Sequence, residues 1–275
     1  SSMTYRGTNA YLLGENDVTV IDPGPDSPAH LEAILAAIEP GQRISHIIVT
    51  HTHLDHSPLA RPLAARTGAE VWAFGDATAG RSAVMQGLAE AGLMGGGEGV
   101  DHGFRPDHTL ADGDVLEGDA WALEVLHTPG HIGNHLCLAW GDACLTADHV
   151  MGWATSLVSP PDGDLTDFMT SCEKLGARQW RVFYPGHGAP VTDPNARLDW
   201  LVAHRRMREA SILEALTAGP ATAEDLARVI YTETPTALLG AATRNVLAHL
   251  VDLTGRGRVA PLGALQAESQ FALNL

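Results

Sequence analysis

Ile44-Ser45-His46-Ile47-Ile48-Val49-Thr50-His51-Thr52-His53-Leu54-Asp55-His56 decides both fold and chemistry. It opens with a short apolar run, the composition of a buried strand. It ends with three imidazoles and one carboxylate packed into six positions. Side chains alternate along extended backbone, so His51 and His53 point to one side. Asp55 and His56 then fall in the turn that leads into the next helix. Imidazole nitrogen and carboxylate oxygen are the ligands zinc and iron take at catalytic centres. A solvated, His-rich loop is the competing reading. Four potential ligands directly behind a buried strand oppose it.

A site for two metals needs more ligands than one loop supplies, and the chain offers three more in similar surroundings. His131 lies in His127-Thr128-Pro129-Gly130-His131, after the strand-like Trp121-Ala122-Leu123-Glu124-Val125-Leu126. Asp148 follows the apolar run Ala143-Cys144-Leu145-Thr146-Ala147, and His187 lies in Tyr184-Pro185-Gly186-His187-Gly188 after Arg181-Val182-Phe183. Each sits at a strand end, the pattern of a site built on loops held by a rigid sheet.

The order H-x-H-x-D-H, then His, then Asp, then His, resembles the metallo-β-lactamase superfamily, and the likeness covers nearly the whole chain. Gly7-Thr8-Asn9-Ala10-Tyr11-Leu12-Leu13 and Val20-Ile21-Asp22-Pro23-Gly24 are similar to the first strands of that fold. Ala147-Asp148-His149-Val150-Met151-Gly152, the Asp164-Leu165-Thr166-Asp167-Phe168-Met169 helix start and Tyr184-Pro185-Gly186-His187-Gly188 resemble a narrower group. This group comprises lactamase-β-like hydrolases related to a mitochondrial endoribonuclease, with a small winged-helix-like C-terminal domain. The resemblance implies an α/β fold, an αββα sandwich of two mixed sheets flanked by helices. It also implies two divalent ions, zinc first, with manganese or iron as alternatives. His51, His53 and His131 would hold one ion and Asp55, His56 and His187 the other, with Asp148 bridging. Asp55 and Asp148 are the expected catalytic carboxylates; whether Asp55 acts as ligand, base or both stays open. A metal-bridging hydroxide would be the nucleophile.

Composition is that of a water-soluble enzyme. The 275 residues suffice for one large core or two modest ones. No stretch approaches the roughly 20 apolar residues that span a bilayer. Ser1-Ser2-Met3-Thr4 lacks a basic region followed by an apolar run, so a cytoplasmic location is expected. Cys137, Cys144 and Cys172 form no C-x-x-C and read as reduced, buried thiols. The formal net charge is −16, and from His204 onward acids and bases balance, so the deficit lies in the first part. An acidic catalytic domain is a poor partner for a polyanion, although bound divalent ions would reverse the sign locally.

Residues 5–13 and 17–22 read as a hairpin joined by Gly14-Glu15-Asn16. Ser27-Pro28 starts a helix, with Leu31, Ile34, Leu35 and Ile38 at helical spacing and Pro40-Gly41 as its end. Ser57-Pro58 repeats the start signal, Gly68 closes that helix, and residues 71–74 read as a strand. Residues 94–103 read as a flexible loop at the site mouth. The catalytic domain is expected over 1–194 and a helical, winged-helix-like domain over 195–275. The latter has helices at 195–216, from Ala221 and at Thr236–Leu253, then a turn into a β-wing ending near Phe271. Its third helix offers Arg244 as the only strong base and also carries Asp252. DNA reading is therefore not expected; packing at the active site or gating of substrate is. His127 reads as structural or as a support for a ligand.

His149, Trp153, Thr155 and Ser156 follow the bridging Asp148 and are candidates to line a substrate pocket. His53 stands where redox di-iron relatives resemble H-x-E-x-D, and the span from Asp148 to His187 is too short for the domain inserted in β-CASP nucleases. The expected function is hydrolysis of a small-molecule ester, thioester or lactone. Endoribonuclease action on single-stranded RNA is the alternative, and a mononuclear-iron sulfur dioxygenase a further one.

Overall fold

The computed structural model describes residues 4–96 and 99–274; Ser1–Met3, Leu275, and Gly97 and Glu98 of the loop expected at the site mouth lie outside this range. Strands β1 (Tyr11–Leu13) and β2 (Asp17–Ile21) form the expected hairpin. Its turn requires Gly14, with φ of +133° and a site where a Cβ would lie 2.3 Å from the Asp17 carbonyl oxygen. α1 (Pro28–Ala36) starts at Ser27, whose hydroxyl accepts the His30 amide, and ends ahead of Pro40-Gly41. β3 (Arg43–Ile48) lies parallel to β2. α2 (Ala60–Thr67) departs from expectation by starting after Ser57-Pro58. The Ser57 hydroxyl donates to the His53 carbonyl and Asp101 instead, so it does not cap the helix. Gly68 ends α2 in the left-handed region, as expected.

β4 (Glu70–Ala73) and β5 (His108–Thr109) complete a five-stranded sheet in the order β1-β2-β3-β4-β5. Between them lies α3 (Ala83–Glu90), capped by Ser82. The second sheet is β10 (Val182–Pro185), β9 (Ala143–Ala147), β8 (Leu136–Trp140), β7 (Ala122–His127) and β6 (Val115–Glu117), in that order. Its β10–β9 pair is parallel and the rest are antiparallel. The inner faces meet through Ile21, Ile48, Leu123, Val125, Leu136 and Leu145. α1 and α2 cover the first sheet's outer face. α4 (Leu165–Gly176) and α5 (Pro194–Leu216) cover that of the second. This is the αββα sandwich.

The C-terminal part holds α6 (Ala223–Ile230), a 3-10 turn (Thr236–Leu238), α7 (Leu239–Gly255) and the antiparallel wing β11 (Val259–Pro261) and β12 (Phe271–Leu273). A reciprocal capping box, Thr222 with Asp225, opens α6. α5 serves both parts: Leu198 and Leu201 pack with Phe168, whereas Ile212 and Leu216 pack with α6 and α7. Met85 and Leu88 of α3 join that second cluster, so the catalytic sandwich and the winged-helix part share one apolar seam. Among the described residues no helix is long and apolar enough to cross a membrane.

Candidate metal centre

Every expected ligand follows the carboxyl end of a strand. His51, His53, Asp55 and His56 follow β3, His131 follows β7, Asp148 follows β9 and His187 follows β10. The fold brings them together as two buried groups, His51–His53–His131–Asp148 and Asp55–His56–His187. His53 Nδ1 lies 3.0 Å from both His51 Nε2 and His131 Nε2. Tetrahedral bonds of about 2.0–2.1 Å separate neighbouring nitrogens by roughly 3.3 Å, so three imidazoles this close suit one shared cation. Asp148 faces both groups: Oδ1 is 3.5 Å from His56 Nε2, and Oδ2 is 3.6 Å from His131 Nε2 and 3.3 Å from His187 Nε2. Asp55 Oδ2 is 3.1 Å from His187 Nε2 and 3.4 Å from His56 Nε2.

Buried polar atoms without a hydrogen-bond partner support the fit. Asp55 Oδ1, His56 Nε2 and Asp148 Oδ1 are such atoms, a combination rare in a satisfied interior. Divalent cations would satisfy them. The far sides of the rings are already engaged. His131 Nδ1 donates to the Leu157 carbonyl (2.7 Å), His187 Nδ1 to the Gly7 carbonyl (3.0 Å) and His56 Nδ1 to Asp22 Oδ2 (2.8 Å). The Thr50 hydroxyl donates to Asp22 and so accepts from His51 Nδ1. These bonds occupy Nδ1 of each ring and turn Nε2 toward the centre.

Asp22 was not among the expected site residues. Its position before Pro23-Gly24 at a strand end matches the setting of the other ligands, which was the available signal. It clusters with His51 and His56. Its oxygens, however, engage Nδ1 of His56 and the amide and hydroxyl of Thr50, so they are satisfied without a cation and orient those neighbours. Asp22 and Ala147 take positive φ (51° and 40°), a strained region for L residues, and both adjoin the centre.

Charge is divided across the site. Burial pushes His51 well below its ordinary pKa, His53 down to about 3, and His131 downward. Burial opposes protonation of His56 too, but Asp148 and Asp22 hold it well above the ordinary value. At His187, hydrogen bonds to Asp148 and Asp55 outweigh burial and raise the pKa to about 10. Burial would raise both carboxyls, yet the imidazoles hold Asp55 and Asp148 low. The carboxylates are thus ionised, and cations would displace protons from His56 and His187.

The turns are built for close approach. A Cβ on Gly186 would lie 2.4 Å from Asp148 Oδ1 and 2.8 Å from His56 Cε1. Asn9 donates from its side chain to the Pro185 and Gly188 carbonyls, both at 2.9 Å, and pins the loop that carries His187. Thr8 donates to Asp55 Oδ2.

A cavity opens above His53, His131, Asp148 and His187. Trp153 and Thr155 line it, together with Met151 and Leu157. Leu238, Ala241 and Asn245 reach it from the C-terminal part, and Gly96 from the glycine-rich loop. Gly96 belongs to the loop expected at the site mouth; Leu238, Ala241 and Asn245 were not legible as lining. His149 and Ser156 lie elsewhere. His149 is buried against Phe168 and Cys172, and the Ser156 hydroxyl donates to the Asp148 and His149 carbonyls. His127 stacks on Phe74 and bonds to the Gly133 carbonyl, away from the ligand atoms. Arg244 donates to the Met94 and Pro160 carbonyls, tying α7 to the glycine-rich loop.

Comparison with known proteins agrees with this architecture. Residues 3–212 match the family described as the metallo-beta-lactamase superfamily, and residues 222–266 match the beta-lactamase associated winged helix domain. A beta-lactamase-like protein 2 homolog of Drosophila melanogaster is 31% identical over 273 residues, covering 94% of this chain and 86% of that protein. An atrochrysone carboxyl ACP thioesterase of Paecilomyces divaricatus is 30% identical over 217 residues, covering 78% of this chain and 60% of that protein. Among solved structures, a metallo-beta-lactamase family protein from Thermus thermophilus superimposes with a TM-score of 0.78 at 25% identity, covering 97% of this chain and 94% of its own.

Proposed function

The chain belongs to the metallo-β-lactamase superfamily and is a metal-dependent hydrolase of that fold, and we propose that it cleaves a small acyl compound: an ester, thioester or lactone. The cavity carries this reading. Its walls are largely apolar, its charged members include Asp148 and Asp162, and among the described residues no Lys or Arg lines it. A polynucleotide needs cations along its backbone, whereas an acyl group needs apolar walls and a few directed polar atoms. The net charge of −16 points the same way, against RNA and DNA alike. Similarity to a thioesterase favours the thioester.

Two divalent ions, zinc first, held by His51–His53–His131 and Asp55–His56–His187 with Asp148 between, would supply Lewis acidity and a water acidic enough to attack near neutral pH. The chain's own groups do the rest. Asp55 Oδ1, buried and without a hydrogen-bond partner, is placed to orient the attacking water. The Ser159 hydroxyl, likewise unpartnered and in the cavity wall, is free to hold a polar atom of the substrate. Trp153, part of the cavity wall, stacks on Tyr5 at 5.1 Å. With both ligand groups complete, the reading favours two ions over the single iron of a dioxygenase.

One preparation should be assayed on an acyl thioester and on a single-stranded RNA oligonucleotide across a salt series. Thioester turnover with little salt dependence is expected. RNA cleavage that exceeds it, weakens steeply with salt and vanishes in Asp148→Ala would overturn the reading.

A further inference from the structure

Arg205 is a buried cation without an acid. It lies on α5 with 3% exposure, and no Asp or Glu pairs with it among the described residues. Burying an unpaired guanidinium is unfavourable, so its presence is weak evidence for a stabilising role. Its bonds point elsewhere. Nη1 donates to Asn245 Oδ1 on α7 (2.8 Å), Nη2 donates to the Ser156 carbonyl, and the guanidinium sits 5.1 Å from the Phe168 ring. Asn245 Oδ1 also accepts the Val158 amide at 3.2 Å. The two side chains therefore grip the backbone of residues 156–158 from both ends.

That short segment touches the metal centre twice. The Leu157 carbonyl accepts from His131 Nδ1 at 2.7 Å, which sets the ring's orientation and tautomer. The Ser156 hydroxyl donates to the carbonyl of Asp148 and, at 2.9 Å, to that of His149. We propose that Arg205 and Asn245 are positioning residues that lock segment 156–158, and through it His131 and Asp148, onto the C-terminal part of the chain. Helix α5, shared by both parts, and α7 of the winged-helix part thereby hold the segment behind the metal ligands, and α7 also walls the cavity. The inference rests on the metal-centre reading and goes beyond it.

Cobalt(II) titration of the metal-free chain tests it without substrate, with visible absorption reporting both affinity and ligand geometry. Partners that touch a ligand directly are worth about 10–100-fold in metal affinity. Arg205→Met and Asn245→Leu act one link further out and should weaken at least one cobalt-binding step about tenfold and alter the d–d spectrum. Asn245→Asp keeps the accepting oxygen and should stay within about threefold of the parent. The double variant should be hardly worse than either single one, because both changes free the same segment. Ser156→Ala removes one buried oxygen, poses little threat to folding and should weaken cobalt about threefold or more. Circular dichroism of the metal-free proteins separates misfolding from mispositioning. Parent-like affinity and spectrum in the folded variants, Ser156→Ala included, would overturn the proposal, as would Asn245→Asp binding as weakly as Asn245→Leu. A parent chain that binds no cobalt would instead overturn the metal-centre reading.

Discussion

Alanine at Gly186 is the smallest substitution that should dismantle the centre. The added methyl carbon would sit 2.4 Å from Asp148 Oδ1, where ordinary contact begins near 3.4 Å, so a shift of about 1.0 Å is required. The Gly186 backbone has little room to give way. Its amide donates to the Ala147 carbonyl at 2.8 Å, and its carbonyl accepts the Asn9 amide at 2.7 Å. His56 Cε1, 2.8 Å from the same position, blocks a sideways escape. The carboxylate must therefore move, and it faces both ligand groups. Misplacement by about 1 Å can lower a rate by about 10²-fold. Gly186 lies outside the left-handed region, so no backbone strain is added. The loss of stability should stay within the roughly 1–3 kcal/mol of an overpacked interior. Bound metal by mass spectrometry, thioester kcat/KM and the melting temperature should be measured together. Loss of metal and an about 100-fold fall in rate in a folded chain are expected. A Gly186→Ala protein that keeps its metal and loses less than about threefold in rate would refute the steric reasoning.

Asp148→Ala should release both ions, whereas His56→Ala should release chiefly one, and both should lose more than the roughly 10–100-fold typical of groups behind the ligands; equal metal content in the two variants would remove the bridging role. Stability of the metal-free chain should fall in acid in part through His249, which burial, then Arg205 and Arg256, depress to about 3. It is neutral when folded but protonates near 6.5 when unfolded, so its contribution is whole above pH 6.5 and fades as pH drops toward 3, by about 1.4 kcal/mol per unit. His249→Gln should flatten denaturant-derived stability between pH 6.5 and 5 relative to the parent, and parallel curves would contradict this.

What was legible in the sequence is what neighbouring residues write together. The His/Asp run 51–56, the strand-end positions of His131, Asp148 and His187, the hairpin turn at Gly14 and the cap at Ser27 are all local patterns. What stayed hidden depends on distant partners. Ser57 has the form of a helix cap, but Asp101 claims its hydroxyl and α2 begins later. The Gly7 and Leu157 carbonyls, which orient His187 and His131, have no side-chain signature at all. Ser156 and His149 sit beside pocket residues in sequence, yet they turn into the interior because the loop after Asp148 wraps over its own carbonyls. Arg205 carries no local signature on its long helix, because its partners lie 40 and 49 residues away.

Stepwise addition of zinc to the metal-free chain, with hydrolysis of an acyl thioester followed at each step, tests the dinuclear hydrolase most directly. No turnover without metal and a rise that saturates at about two zinc ions per chain is the expected result. Turnover in the metal-free protein, or saturation at a single ion, would contradict it.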